Sequence, residues 1–264
     1  MGLRFNLASH DIITGIAGWR IWLLLAWQDI RLRYRRSILG PFWITISMAI
    51  SVYSLGFLYG HLFKIDLHQY FPFLAIGLLV WTLINAIVTD STNALIEAGG
   101  YLRQIKMPTI IFILRVVARN FIIFAHNLVA IIPIVIFCGM SLGWHTFAVF
   151  YGLVIIIINA VVYGLILGML GAKYRDIAQV ITSLMQVIFF VTPVMWMPKI
   201  LAGQYGYVIT LNPFAQFIEL IRAPIMGGWP SQYCIVMTLV LFLVGFVIAT
   251  IMFVRIRHRI IYWL

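Results

Sequence analysis

Acid is scarce in this chain: 7 Asp and Glu among 264 residues, against 18 Lys and Arg. Chemistry that runs on paired carboxylates or on acidic metal cages needs several of them in one place. No G-x-x-x-x-G-K-[ST] phosphate loop and no H-E-x-x-H pair occurs. Cysteine is nearly absent too. Cys138 and Cys234 lie far apart inside apolar stretches, which reads as buried structural thiols rather than ligands. His61, His68, His126 and His145 show no ligand spacing either, so no metal site is expected. The N-terminus carries Arg4 and Asp11 without a short apolar core ending in small residues, so no cleavable signal peptide is expected.

What the chain has in excess is apolar surface. It is 64% hydrophobic and 9% charged, with a mean hydropathy of +1.06, whereas soluble domains carry roughly 25% charged residues. A net charge of +11 would suggest nucleic acid in a soluble protein. Here the basic residues stand at the ends of apolar runs, where orientation and anionic headgroups account for them.

The expected fold is therefore all-α and membrane-integral, a single membrane domain over residues 1–264. An apolar run of roughly 20 residues crosses the ~30 Å hydrocarbon core. Six such spans are expected, at about 40–63, 72–95, 109–138, 145–171, 178–197 and 232–254. Arg31, Arg33, Arg35 and Arg36 precede the first span, Arg103 and Lys106 follow the second, and Lys173 and Arg175 follow the fourth. Arg255, Arg257 and Arg259 follow the sixth, while Lys64, Lys199 and Arg222 are the outer cations. The positive-inside rule then puts both termini in the cytoplasm.

Three segments are not simple spans. Residues 17–36 alternate Trp19, Ile21, Leu24, Trp27 and Ile30 with Arg20, Gln28, Asp29, Arg31 and Arg35. That spacing predicts an amphipathic helix lying in the membrane interface. The block 96–108 carries a Gly-Gly break, stops at Pro108, and reads as a short cytoplasmic helix or turn. The stretch 198–231 is too long and too apolar for a plain loop, and is expected to form short re-entrant helices before the last span. Asn212 is a helix cap there, with Pro213 at the first helical position and Glu219 three residues from Arg222 as a possible pair. Within the spans, Asp90 is in reach of Arg115 or Arg119 if spans two and three form an antiparallel pair; the alternative is that both arginines snorkel to the inner headgroups.

The string RLRYRRSILGPFW resembles the opening of type-2 ABC exporter permeases, and further matches follow in order: GGYLRQIKMP, KYRDI, TPVMWMP, and LNPF followed by Arg222. Within that family the chain is most similar to permeases for lipid-linked polysaccharide of the O-antigen, capsule or teichoic acid type, the O-antigen branch above all. The resemblance implies a homodimer with two cytoplasmic ATPase subunits, ATP and Mg on those partners and no cofactor here. It implies a bacterial inner-membrane protein that moves a polyprenyl-pyrophosphate-linked glycan. It has no enzymatic motif of its own, so hydrolysis belongs to the separate subunit.

Given such a cargo, the residues divide into roles. A polymer needs a continuous conduit between protomers, and sugars stack on aromatic faces and bond to hydroxyls and amides. Span one offers Ser47, Ser51 and Ser54 with Tyr53, Phe57 and Tyr59; span five offers Thr182, Gln186, Phe189, Phe190 and Trp196. Packing between helices is the competing role for each. Glu97, Tyr101, Arg103 and Lys106 are the expected grip on the ATPase. Arg31, Arg33, Arg35 and Arg36 suit the lipid pyrophosphate or bulk headgroups. Asn212, Pro213, Glu219 and Arg222 are the expected outer gate. An exporter of drugs or small lipids, and a membrane enzyme acting on polyprenyl phosphates, stay open as alternatives.

Overall fold

The computed structural model describes residues 2–62, 64–140, 143–198 and 206–264. Phe63 at the end of the first expected span, the outer cation Lys199, and residues 200–205 of the 198–231 stretch lie outside the described residues. Among the described residues every regular element is helical. They are α1 (Gly2–Ala17), α2 (Trp19–Arg33), α3 (Phe42–Leu62), α4 (Leu67–Glu97), α5 (Gly99–Gln104), α6 (Ile110–Leu128) and α7 (Ile132–Phe137). There follow α8 (Ala148–Lys173), α9 (Ile177–Val191), α10 (Gly206–Leu211), α11 (Pro213–Ile225), α12 (Gln232–Ile256) and α13 (Ile260–Trp263).

Five helical stretches are long and apolar enough to cross a membrane: Phe42–Leu62, Leu67–Gln104, Ile110–Leu128, Trp144–Lys173 and Gln232–Trp263. α9 is apolar but has 15 residues, a length of about 22 Å at 1.5 Å per residue. The third expected span, 109–138, is not continuous. α6 stops at Leu128 and α7 restarts at Ile132, because Pro133 has no N–H to return to the Val129 carbonyl. The break is covered from α3: Tyr53 donates to the Ala130 carbonyl at 3.3 Å, and Thr45 to that of His126 at 3.0 Å.

α4 is the hub. Its residues from Pro72 to Trp81 are all buried, and α3, α6, α8, α9 and α11 pack around it. Contact with α8 needs a close approach of backbones. A Cβ on Gly171 would lie 1.9 Å from the Thr92 carbonyl oxygen, so only glycine fits that crossing. Gly77 on the same hub makes room for the Arg222 guanidinium, whose Nη2 would lie 2.1 Å from an added Cβ.

An element unforeseen in the sequence is α1. Its Asp11 is 2% exposed and accepts from Arg257 Nε at 2.7 Å and, at 3.5 Å, from the Ile110 N–H that opens α6. One carboxylate thus ties the first helix, the start of α6 and the C-terminal turn together. α2 packs on α6 through Leu25, Ala26 and Ile30. The stripe expected to be its apolar face divides: Ile30 is buried, while Trp19, Ile21, Leu24 and Trp27 stay exposed.

Candidate translocation surface and its polar supports

α3 and α9 flank the hub, and each leaves most of its surface uncovered. Among the buried residues of α3 are Ile44, Met48 and Val52; α9 buries Met185. On α3 the open face carries Ser47, Ser51 and Ser54, with Tyr53 and Phe57; these serines follow the i, i+4, i+7 repeat of one helical face. On α9 it carries Thr182, Ser183, Gln186 and Phe190. α12 is equally uncovered, but its exposed side chains include Leu239, Val240, Leu243, Val244, Val247 and Ile251, a surface suited to hydrocarbon.

Two of the hydroxyls bond within their own helix: Ser51 donates to the Ser47 carbonyl at 2.9 Å, and Thr182 to that of Ala178 at 2.8 Å. Gln186 has an exposed amide with no hydrogen-bond partner among the described residues. Such a group is costly against lipid tails and asks for water, a ligand or another chain. The other expected lining residues sort differently. Phe190 projects outward at 73% exposure, whereas Phe189 turns inward, its ring 5.4 Å from that of Trp81. Trp196 is half-buried and donates to the Phe190 carbonyl at 3.1 Å. Tyr59 is half-buried within the α3–α4 packing, and Phe57 lies against His61 at 4.3 Å.

A partly buried ionic network joins α2, α4 and α6. Arg115 grips Asp29 with two bonds, Nε to Oδ2 at 2.7 Å and Nη2 to Oδ1 at 2.5 Å. Arg119 donates to Asp29 at 3.1 Å and to Asp90 at 2.9 Å. Asn120 completes it with a 2.9 Å bond to Asp90. Two cations and two carboxylates balance, so the buried charges are compensated. The arginines pair rather than snorkel. Asp29, expected only as part of a polar stripe on α2, is the central acceptor. The chain's acid scarcity was a usable signal, since an acidic residue amid a cationic stripe seeks a partner of its own.

Toward the opposite end of the bundle, Asn212 caps α11 as expected, accepting from the Phe214 and Ala215 N–H groups at 2.9 and 3.3 Å. Pro213 is the first helical residue. The Asn212 amide also donates to Thr192 Oγ1 at 2.9 Å, joining α11 to the end of α9. The expected Glu219–Arg222 pair is not formed. Arg222 instead points into the hub, donates to the Pro193 carbonyl at 2.9 Å and stacks over Phe73 at 3.8 Å. Its burial at 3% exposure, on the α4 side of α11, takes it away from half-exposed Glu219. α11 is thus packed within its own chain, and Tyr207, Thr210 and Leu211 of α10 are exposed beside it.

At the end near both termini, Glu97, Tyr101, Arg103 and Lys106 are all exposed. Leu102 anchors α5 in the core, and the Tyr101 ring lies 6.0 Å from Phe112. Arg31, Arg33, Arg35 and Arg36 are exposed, and none forms an ion pair among the described residues.

A multi-span helical protein with a polar, partly aromatic open face and an exposed basic elbow has the features of a transport subunit. The chain belongs to the ABC-2 type transporter family, whose model matches residues 20–226. It is 23% identical over 241 residues to the "O-antigen export system permease protein RfbA" of Klebsiella pneumoniae, covering 88% of this chain and 90% of that one. A Myxococcus xanthus protein of the same description is 25% identical over 211 residues, covering 75% and 77%. The "Polysialic acid transport protein KpsM" of Escherichia coli is 22% identical over 232 residues, covering 83% and 88%.

Proposed function

We propose that the chain is the permease subunit of an ATP-driven exporter that moves a lipid-linked, O-antigen-like polysaccharide across the bacterial inner membrane. Two copies enclose the conduit, each contributing the open faces of α3 and α9. The observation that carries this reading is the unpartnered Gln186 amide, in line with Thr182 and Phe190 on one face of α9, where the exposed face of α12 is mostly aliphatic. Apposing two such faces gives the amide water and glycan hydroxyls instead of lipid. The names of the relatives from Klebsiella pneumoniae and Escherichia coli support polysaccharide as the cargo.

In this reading α9 completes a sixth crossing with the turn that follows it, both termini are cytoplasmic, and α2 lies in the inner interface with its Trp residues at headgroup level. The exposed arginines 31, 33, 35 and 36 meet the lipid pyrophosphate as bidentate donors. Energy comes from two separate ATPase subunits, gripped through Glu97, Tyr101, Arg103 and Lys106. The outer gate is α10 and α11, with Asn212 and Arg222 holding the pair to α9 and α4. Pro213 starts the gating helix, and Glu219 is its half-exposed charge.

The test is to purify the chain with its ATPase partner and measure hydrolysis and export together. Reversing Arg103 and Lys106 to Glu is expected to leave insertion and hydrolysis intact while export stops. Normal export by that variant would sink the coupling assignment, and failure to recover any ATPase with the wild-type chain would sink the transport reading itself.

A further inference from the structure

Beside the Asp11 junction lies a cavity of about 390 Å³ that the transport reading touches only through Lys106 and to which it gives no ligand. Its volume falls in the ~300–1,000 Å³ range of small-ligand sites. His10, Lys106, Arg257 and His258 line it together with Asp11. Asp11 neutralises one cation only: Arg257 gives it Nε at 2.7 Å, and its two Nη atoms make no further bond among the described residues. Lys106, His10 and His258 are exposed and form no ion pair among the described residues. The lining also includes apolar side chains, among them Ile105 and Ile261, each about half exposed.

A cationic rim against exposed isoleucines at the end of a spanning helix has the chemistry of an acidic headgroup joined to hydrocarbon. We propose that this cavity binds the phosphodiester of an anionic phospholipid from the inner leaflet. Lys106 and the free Nη fork of Arg257 hold the phosphate oxygens, the two imidazoles complete the ring of donors, and the isoleucines meet the first methylenes of the acyl chains. Basic pockets at the cytoplasmic ends of membrane helices recognise such headgroups. The position gives the lipid a consequence, because Lys106 belongs to the segment after α5 and Arg257 to the C-terminal turn. A bound headgroup cross-links the elbow proposed to grip the ATPase to the junction that fixes both chain ends.

The assignment of this end to the inner leaflet rests on the proposed orientation; the binding itself does not, and is measured in detergent, where no leaflet exists. Native mass spectrometry of the purified complex with added phosphatidylglycerol should show one retained lipid per permease chain, and phosphatidylcholine should not be retained. His10→Glu combined with His258→Glu, both at exposed positions, should weaken phosphatidylglycerol by at least about tenfold. Arg257→Lys keeps a cation beside Asp11 but loses the fork, and should weaken it several-fold with the complex intact. Unchanged lipid binding in both variants overturns the proposal. So does equal retention of phosphatidylcholine, or competition by glycerol phosphate at the same affinity, which would make the site one for free phosphate. Loss of the ATPase subunit with lipid binding preserved would assign the cavity to protein contact and overturn it too.

Discussion

Arg119 and Asp90 meet at 2.9 Å across the α4–α6 packing, and the same guanidinium reaches Asp29 on α2 at 3.1 Å. A single side chain therefore couples the helix that leads into the arginine cluster to the central hub. Truncating Arg119 leaves Asp90, whose side chain is 31% exposed, without its cation while Asp29 keeps Arg115, at a cost below the ~3–5 kcal/mol of a fully buried pair. Arg119→Met is expected to lower the melting temperature of the purified protein. Exchanging the two residues, Asp90→Arg with Arg119→Asp, should rescue only part of it, because the new carboxylate would face Asp29. A melting temperature unchanged in Arg119→Met would mean that the network contributes nothing.

The α4–α8 crossing depends on Gly171. Gly171→Ala drives a methyl into the Thr92 carbonyl, and overpacking of this kind costs about 1–3 kcal/mol. At Gly100 an added Cβ meets nothing within 4 Å, and alanine in a helix is favoured over glycine by up to ~1 kcal/mol. Thermal unfolding in detergent should separate the two variants in opposite directions. Equal stability would place the helices farther apart than they are here.

Arg222→Lys removes the planar stack on Phe73, and with it the geometry that holds the Pro193 carbonyl. Export should fall while the protein still inserts. A cysteine at Leu211, introduced as a reporter on α10, should become more reactive from outside in the Arg222→Lys background. Unaltered labelling and export would make Arg222 a packing residue without influence on the outer segment.

Bulk added to the open faces should distinguish conduit from lipid surface. Ser51→Trp is expected to block polysaccharide export, whereas Val244→Trp on the apolar face of α12 should be tolerated. The measurement is surface polysaccharide at matched protein levels. Equal export by both variants would remove α3 from the conduit.

Much of the fold was legible because membrane segments announce themselves by length, and their ends by charge. Helical spacing put Arg115 and Arg119 on one face, and an antiparallel pairing of spans two and three brought Asp90 within reach. The sequence left snorkelling equally open, and the 2.9 Å Arg119–Asp90 bond decides for the pair. The break after Leu128 was written in Pro133, but a long apolar run hid it. Asp29 and Asp11 could not be placed: the first bonds to a residue 86 positions away and the second to one 246 positions away, and no local pattern encodes such distances. At Glu219 and Arg222 the local i, i+3 rule lost to tertiary burial, since the Pro193 carbonyl and the Phe73 ring offered the guanidinium a deeper site. The division of the α3 and α9 residues into outward and inward sets, with Phe190 open and Phe189 against Trp81, needed the packing around α4 to appear.

The most direct measurement is the sidedness of the glycan in cells lacking this chain. Deletion should abolish surface polysaccharide and leave the polyprenyl-pyrophosphate-linked polymer on the cytoplasmic face, with both reversed when the chain is supplied again. Full surface polysaccharide in the deletion strain, with no cytoplasmic accumulation, would contradict the account.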